Sequence, residues 1–353
     1  MTRLGQRSVV LTPAAAAAGT AAAAEPRPPR SANPLLRAYH WLVYDTRPDL
    51  VSCKTRVQHW RALSSQCRYL HSLFAYLGPP SHLLWHIKMP LAANMAVAAL
   101  AIVNARLNLT PLASPDSATA TTLTWRLSTF TLALLLTFRV GRSYERWWLA
   151  RQAFGSVGGA AVSVATMAVL WVGDPQLKAE IVRWCSLWQP SVWHYVSFTD
   201  LATVAPDAAA LLNAEELTFY NAAPKARLVV TMRLRQLLAC AGLDVGQFTA
   251  VDAVIAGGIV AQGNCGRILF QAMPYTLTLL CTGFVEIWLL LLPLALFGDK
   301  DMDPWHVGLE VLLYALISIL LLSIDEAATQ LEQPFPFLPL GEIVKSTRRD
   351  ISL

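Results

Sequence analysis

The chain has 353 residues, of which 55% are hydrophobic and only 14% are charged, with a formal net charge of +5. Soluble domains carry about 25% charged residues, so this composition excludes a disordered chain and argues against an ordinary soluble globule. The apolar excess predicts several membrane spans together with a water-facing part. The 6 cysteines show no C-x-x-C spacing. A disulfide framework or a zinc site is therefore not expected, and no cofactor is predicted.

The first 30 residues have the composition of a leader rather than of a folded domain. Arg3 and Arg7 precede an alanine-rich stretch, and no acidic residue occurs before Glu25. A basic, acid-free stretch of this kind is typical of an organelle transit peptide, and a secretory signal is the competing interpretation because residues 9–18 form a short apolar core. We therefore leave residues 1–30 out of the fold and assign residues 31–82 to N-terminal water-side helices.

Hydropathy predicts four membrane spans in an all-α protein. Helices 1 and 2 fall within residues 83–140, and helices 3 and 4 fall within residues 268–326. The section between them, residues 141–267, is too polar to span and predicts a helical water-side domain. A C-terminal tail follows at residues 327–353. Four tryptophans are expected to fill the core of the water-side domain: Trp171, Trp184, Trp188 and Trp193.

Charges that flank the predicted spans indicate an orientation. Arg139, Arg142, Arg146 and Arg151 crowd the end of span two, whereas the two short loops between paired spans contain few basic residues. Because basic flanks stay on the side of synthesis or import, the N-terminus, the middle section and the C-terminus are expected to share that side.

Span two contains the most informative spacing in the chain. Arg126, Phe130, Leu134 and Phe138 recur every four residues, so they share one stripe of a helix. Such a row is commonly a packing or lipid-facing surface. However, an arginine on a lipid-facing stripe is costly unless it reaches water or a partner. The spacing by itself leaves packing and pore lining as equal alternatives.

The pore interpretation of this stripe has a simple physical basis. Several copies of the helix around one axis would place a ring of Arg126 at the mouth, where it concentrates anions. Rings of Phe130, Leu134 and Phe138 would then form an apolar constriction that gates by wetting and dewetting. Aromatic edges carry partial positive charge, which favours a passing anion over a cation.

Two motifs at the ends of the helical region carry a family resemblance. The first follows span two and consists of Tyr144, Glu145, Arg146, Trp147 and Trp148 with Arg151. The second follows span four and contains Asp325, Glu326, Glu332 and Pro334. Their order and spacing resemble the bestrophin family of anion channels, with a looser match around Met273-Pro274-Tyr275. Within that family the chain looks most like the plant and algal plastid branch.

The resemblance implies a pentamer around one axial pore, with a narrow neck on the second helix. Carried over by distance from Arg146, the neck positions fall on Phe130, Leu134 and Phe138, which are the residues that the periodicity selects. The family's second, water-side constriction uses the apolar residue before the proline, here Met273. The C-terminal motif lacks the run of acids with which animal relatives bind calcium, so calcium gating is not expected.

Other chemistries find little support in the sequence. His82 and His86 are four apart but have no third ligand nearby, so no metal site is predicted. No G-x-S-x-G, H-E-x-x-H or phosphate-loop spacing occurs, and the chain is not expected to be an enzyme. Glu286 and Glu310 are intramembrane acids that serve as proton or ion sites or pair with a neighbouring helix.

The resulting expectation is a homopentameric anion channel in the chloroplast thylakoid membrane, with its water-side domain in the stroma. Chloride is the ion that the family implies, and bicarbonate is a serious rival because an algal plastid channel would serve carbon fixation. The expected partners are these anions, membrane lipid and further copies of the chain, but not nucleic acid. Two alternatives remain open, a non-conducting membrane scaffold of the same fold and a proton-coupled carrier that uses Glu286.

Overall fold

Long apolar stretches of the sequence form long helices. The computed structural model describes residues 82–107, 118–223, 225–297 and 303–352, with side chains from His86 onward in the first range and from Leu127 onward in the second. The predicted leader and almost all of the predicted N-terminal water-side helices lie outside these residues. Within the described ranges every regular element is a helix, as an all-α fold requires.

Eleven α-helices and one short 3-10 turn make up the described chain. In chain order they are α1 (His82–Leu107), α2 (Ala118–Trp171), α3 (Pro175–Ser197), α4 (Leu201–Val204), α5 (Pro206–Ala209), α6 (Ala214–Ala222), α7 (Ala226–Ala239), α8 (Val245–Phe270), α9 (Tyr275–Leu296), α10 (Pro304–Glu332), the 3-10 turn Phe335–Phe337 and α11 (Leu340–Ile351).

Local sequence signals set where three of the helices after α2 begin. The side chain of Asp174 accepts a hydrogen bond at the start of α3, where a proline occupies the first turn. Asn213 pairs with Glu216 in a capping box at the start of α6, and Asp244 pairs with Gln247 in the same way at the start of α8. These caps satisfy backbone N–H groups that the helices leave without partners.

Helix α2 is far longer than a membrane span. Its 54 residues correspond to about 80 Å, whereas the hydrocarbon core of a bilayer is about 30 Å thick. The sequence analysis placed a boundary between membrane and water-side parts at residues 140 and 141. The helix passes that point without a break and continues to Trp171, so one rigid element connects the two parts.

Three hydrophobic clusters divide the described helices into two halves. The first half of α2 packs with α1, α9 and α10, through residues such as Leu132, Leu136 and Leu289. The second half of α2 packs with α3, α7, α8 and α11 in one larger core. Trp184 and Trp188 are buried in that core, and Trp171 and Trp193 pack against it. The predicted packing of the four tryptophans in one core is therefore confirmed, and the contact of that core with water stays a prediction.

Five described helices are long and apolar enough to cross a membrane, compared with the four spans that the sequence predicts. Four of them, α1, α2, α9 and α10, coincide with the predicted spans. The fifth is α8, which the sequence analysis assigned to the water-side domain. Its buried residues, including Val251 and Ile255, belong to the large core that it shares with the polar helices α3 and α7.

Candidate functional site

The stripe on α2 lies on the side of the helix that faces away from its own subunit. Phe130, Leu134 and Phe138 are 70%, 46% and 62% exposed. On the opposite side, Leu132 and Leu136 are buried against α9 and α10. Because none of the described residues covers the stripe, it is available to lipid, to further copies or to a water-filled passage.

The stripe is long enough to form a narrow section rather than a single ring. Phe130 and Phe138 are eight residues apart, which corresponds to about 12 Å along the helix axis. Arg126 lies one turn earlier in α2, at a position in line with the stripe. Its side chain lies outside the described residues.

The residue after Phe138 points about 100° away from it around the helix axis, into the subunit. The Arg139 side chain is only 1% exposed and forms an ion pair with Asp325, while its Nε lies 3.5 Å from Glu332 Oε1. Its Nη1 donates a hydrogen bond to Thr282 Oγ1 at 2.5 Å, and its Nη2 donates to Thr329 Oγ1 at 2.9 Å. One guanidinium group therefore connects α2 to both α9 and α10.

This cluster explains two residues of the C-terminal motif and corrects the treatment of Arg139. The sequence analysis counted Arg139 as a flanking charge, but its charge is used inside the protein. Asp325 and Glu332 lie two turns apart on α10, and both face that single cation. Among the described residues, no group of three or more histidine, cysteine or acidic side chains could hold a metal ion.

The order of these elements matches a known family over most of the chain. The family model described as "Bacterial/Fungal Bestrophin protein" matches residues 63–352. This chain belongs to the bestrophin family. The match includes the stripe on α2, the residues that follow it and the C-terminal motif.

Two relatives of this bestrophin have names that state a transport activity. A voltage-dependent anion channel-forming protein of Nostoc sp. is 24% identical over 232 residues, which cover 62% of this chain and 73% of that protein. The chloroplastic voltage-dependent chloride channel 1 of Arabidopsis thaliana is 25% identical over 228 residues, which cover 64% of this chain. The match spans about half, 54%, of the Arabidopsis protein.

Solved structures support the same fold. A mutated bacterial bestrophin homologue from Klebsiella pneumoniae superposes with a TM-score of 0.64 at 21% sequence identity, covering 76% of this chain and 99% of that one. At this level of identity the similarity concerns the fold of the single chain.

The predicted signature residues lie on α2 just beyond Arg139, and Arg146 among them holds the ends of two other helices. The Nε of Arg146 donates a hydrogen bond to the backbone oxygen of Glu332 at 2.8 Å, and its Nη2 donates to the backbone oxygen of Ile268. These acceptors lie at the C-terminal ends of α10 and α8, where helix carbonyls have no partner within the helix. Arg146 thus joins the two halves of the molecule.

The other signature residues divide between the core and the surface. Trp147 packs against the large core and stacks on Tyr144, with ring centroids 5.8 Å apart. Trp148 is 47% exposed, and Glu145 forms an exposed ion pair with Arg142 at 3.1 Å. A Cβ atom at Gly155 would lie 3.0 Å from Nη1 of the half-buried Arg151, so a glycine there leaves room for that side chain.

The rest of the C-terminal motif shapes the end of α10. Glu326 accepts a hydrogen bond from Gln330 Nε2 at 2.9 Å. Pro334 precedes the 3-10 turn, whose first residue, Phe335, is 5% exposed and belongs to the large core. This turn connects α10 to the large core formed by the second half of α2, α3, α7, α8 and α11.

The predicted second constriction lies in the connection between α8 and α9. Met273 is half-buried and non-helical, and Pro274 caps the start of α9. Met273 therefore lies outside the helices, whereas the stripe lies within α2. Its role as a second constriction stays a prediction.

A separate cavity of about 350 Å³ opens between α3, α6 and α7. Glu216 lines this cavity, and its carboxylate accepts two hydrogen bonds from Arg183, each 2.7 Å long. These hydrogen bonds lower the pKa of Glu216 below its ordinary value. Nearby, burial lowers the pKa of His194, which lies 3.0 Å from the Tyr220 hydroxyl. These contacts stabilise the packing of α3 on α6.

Proposed function

We propose that this bestrophin is an anion channel that passes chloride, bicarbonate or both down their gradients across an organelle membrane. The chloroplastic name of the Arabidopsis relative and the basic, acid-free leader support a chloroplast membrane, and we place the chain in the thylakoid. The names of the Nostoc and Arabidopsis relatives support anion transport over enzymatic activity.

The observation that carries this proposal is the outward position of the stripe opposite a tightly held inner face. Phe130, Leu134 and Phe138 are exposed, whereas Leu136 and Arg139 on the other side are buried. Five copies, as the bestrophin resemblance implies, would bring five such stripes together around one axis. The stripe would then be the neck of the conduit.

Each part of the proposed path has a distinct physical role. A ring of Arg126 at the mouth raises the local anion concentration. The three apolar rings exclude water when narrow and admit a hydrated ion when they widen. Beyond the neck, the same side of α2 presents the exposed pair Arg142 and Glu145, so the surface becomes polar. Met273 supplies the second constriction on the water side.

Four spans and a stromal water-side domain fit this arrangement. Although α8 is apolar enough to span, it shares one core with α3 and α7, which are not. Keeping α8 with that core leaves α1, the first half of α2, α9 and α10 in the membrane. An even number of spans then places the start of α1 and the end of α10 on one side, as the basic flanks indicate.

Purified protein in a planar lipid bilayer tests the proposed activity. In a chloride gradient, the reversal potential is expected near the chloride equilibrium potential, and exchange of chloride for bicarbonate on one side measures the relative permeability. A silent bilayer would support the scaffold alternative. A current that follows the pH gradient instead of the anion gradient would support the proton-coupled carrier.

The mass of the intact assembly tests the proposed subunit number separately. Native mass spectrometry of the detergent-solubilised protein is expected to give five copies of the chain. A monomer or dimer would contradict the axial pore, because so few stripes cannot enclose a passage.

A further inference from the structure

A group of polar side chains lies at mid-span between α1, α9 and α10, away from the stripe. Asn94 and Ser318 are both 0% exposed. Within the described part of the chain, neither the amide of Asn94 nor the hydroxyl of Ser318 makes a hydrogen bond of normal length and angle. Buried polar groups without partners are costly in a protein interior and more so in a membrane, so each needs an explanation.

The same place contains a carboxylate. The Asn94 side chain faces Glu286 on α9, and the Tyr314 ring on α10 lies within the field of that carboxylate. Among the described residues no basic side chain pairs with Glu286, and the other charged group near it is the acidic Asp325. Asp325 already has Arg139 as its partner. An ionised Glu286 would therefore need a cation from outside the described residues.

Tyr314 fixes the walls of this pocket. Its hydroxyl donates a hydrogen bond to the backbone oxygen of Leu289 at 2.9 Å and lies 3.4 Å from the backbone oxygen of Asn94. One phenol thus contacts all three helices. Because the Tyr314 hydroxyl donates its proton to Leu289, the lone pairs of the phenol oxygen remain available. Ser318, on the next turn of α10, faces this oxygen.

We propose that Glu286, Asn94, Ser318 and Tyr314 form an intramembrane binding site for one monovalent metal cation, sodium or potassium. Every available ligand atom is oxygen: a carboxylate, an amide carbonyl, a hydroxyl and a phenol. Oxygen ligands suit hard cations. A single carboxylate neutralises a single positive charge, whereas a divalent cation would leave a net charge within the hydrocarbon region. The carboxylate excludes an anion.

This site is separate from the proposed anion path. Glu286 and Ser318 lie on α9 and α10, while the stripe lies on the opposite side of α2 from those helices. The bound cation would stabilise the packing of α1, α9 and α10 in each subunit. Its binding is measured without any current, so the test is independent of the channel proposal.

Thermal unfolding of the full chain in detergent tests the site. The melting temperature is compared in sodium chloride, potassium chloride and N-methyl-D-glucamine chloride at one ionic strength, so that chloride stays constant. Sodium or potassium is expected to raise the Tm by about 2 °C or more, with saturation, because a ligand that binds only the folded state stabilises it. The comparison of the two salts identifies the preferred ion.

Four variants separate the site from general salt effects. Glu286→Gln and Ser318→Ala are expected to abolish the dependence of the Tm on the cation. Glu310→Gln changes another intramembrane carboxylate, and Ser143→Ala changes another fully buried serine whose hydroxyl has no partner. Both controls are expected to keep the full dependence, and its loss in either would contradict the assignment.

Three results would overturn the proposal. The first is a wild-type Tm that is the same in all three salts. The second is a cation dependence that survives in Glu286→Gln. The third is stabilisation that follows acidification alone, which would make a proton the occupant. If Glu286→Gln does not fold, equilibrium binding of radioactive sodium and rubidium to the wild-type chain tests the site instead. Saturable binding of one ion per subunit is expected. The absence of saturable binding would contradict the site.

Discussion

Arg139 and Asp325 are 186 residues apart in sequence and form a buried ion pair between α2 and α10. Arg139 directly follows Phe138, and adjacent residues of a helix point about 100° apart. By drawing Arg139 inward, the pair fixes the rotation of α2 about its axis. It thereby keeps Phe138 on the outer side of the subunit, where the proposed neck requires it.

Replacement of Arg139 by methionine is expected to destabilise the fold strongly. The change leaves Asp325 and Glu332 buried without their cation, and removal of one partner of a buried ion pair costs about 3–5 kcal/mol. Arg142→Met is the matched control, since that side chain is 67% exposed and a change within about 0.5 kcal/mol is expected. Chemical unfolding in detergent measures both. Equal stability of the two variants would contradict the role of Arg139.

A combined change of the stripe to alanine is expected to raise the single-channel conductance several-fold. The variant Phe130→Ala, Leu134→Ala, Phe138→Ala widens the apolar constriction and lowers the barrier to wetting. Folding should be little affected, because all three side chains are exposed in the subunit. The conductance is measured in planar bilayers at constant chloride.

A second triple variant controls for the loss of apolar surface in general. Leu313, Ile317 and Leu320 are also exposed, on α10. Their replacement by alanine is expected to leave the conductance at the wild-type value. An equal effect of the two triple variants would mean that the stripe has no special relation to the passage.

Alanine substitutions at two adjacent glycines of α8 are expected to change the stability in opposite directions. A Cβ atom at Gly258 would lie 2.4 Å from Cη2 of the fully buried Trp188, so Gly258→Ala forces α8 away from α3 and should cost about 1–3 kcal/mol. At Gly257 no atom lies within 4 Å, and Gly257→Ala should stabilise the helix by about 0.5–1 kcal/mol. Unfolding by denaturant compares the two. A destabilised Gly257→Ala variant would contradict this packing.

The ion pair between Arg183 and Glu216 is expected to make the folded chain less stable in acid. The pKa of Glu216 is lower in the folded chain than its ordinary value, so its contribution is complete above that ordinary pKa and is lost as the pH falls through the folded-state value. Glu216→Gln should cost about 1.5–3 kcal/mol at neutral pH and flatten the acid limb of the stability curve. The exposed neighbour Glu215, changed to glutamine, should do neither.

Periodicity predicted the shared face of Phe130, Leu134 and Phe138 because the spacing of one helix is a local property. It could not reveal the position of Arg139, since the partners of that side chain lie on α9 and α10. The signal in the sequence was an arginine at the end of an apolar stretch, together with Asp325 and Glu332 two turns apart. Only the packing of the helices shows that these charges meet.

The boundaries of the long helices were harder to predict for a different reason. Hydropathy reports the composition of a segment but not the continuity of its hydrogen bonds. Residues 141–171 of α2 continue the helix through Gly141, Gly155, Gly158 and Gly159, which a helix tolerates when a neighbouring core packs against it. Similarly, α8 is apolar, although its buried residues belong to the core that it shares with α3 and α7, and composition by itself does not distinguish that environment from lipid.

Access to the stripe from water tests the central claim most directly. Leu134→Cys is exposed to a negatively charged methanethiosulfonate reagent while the current is recorded, and Leu313→Cys on α10 is the matched control. The wild-type chain, with its own 6 cysteines, gives the background. The account predicts rapid block of the Leu134→Cys current and no change in the current of Leu313→Cys or of the wild-type chain. A Leu134→Cys current that the reagent leaves unaltered, in a channel that conducts anions, would contradict the neck on α2.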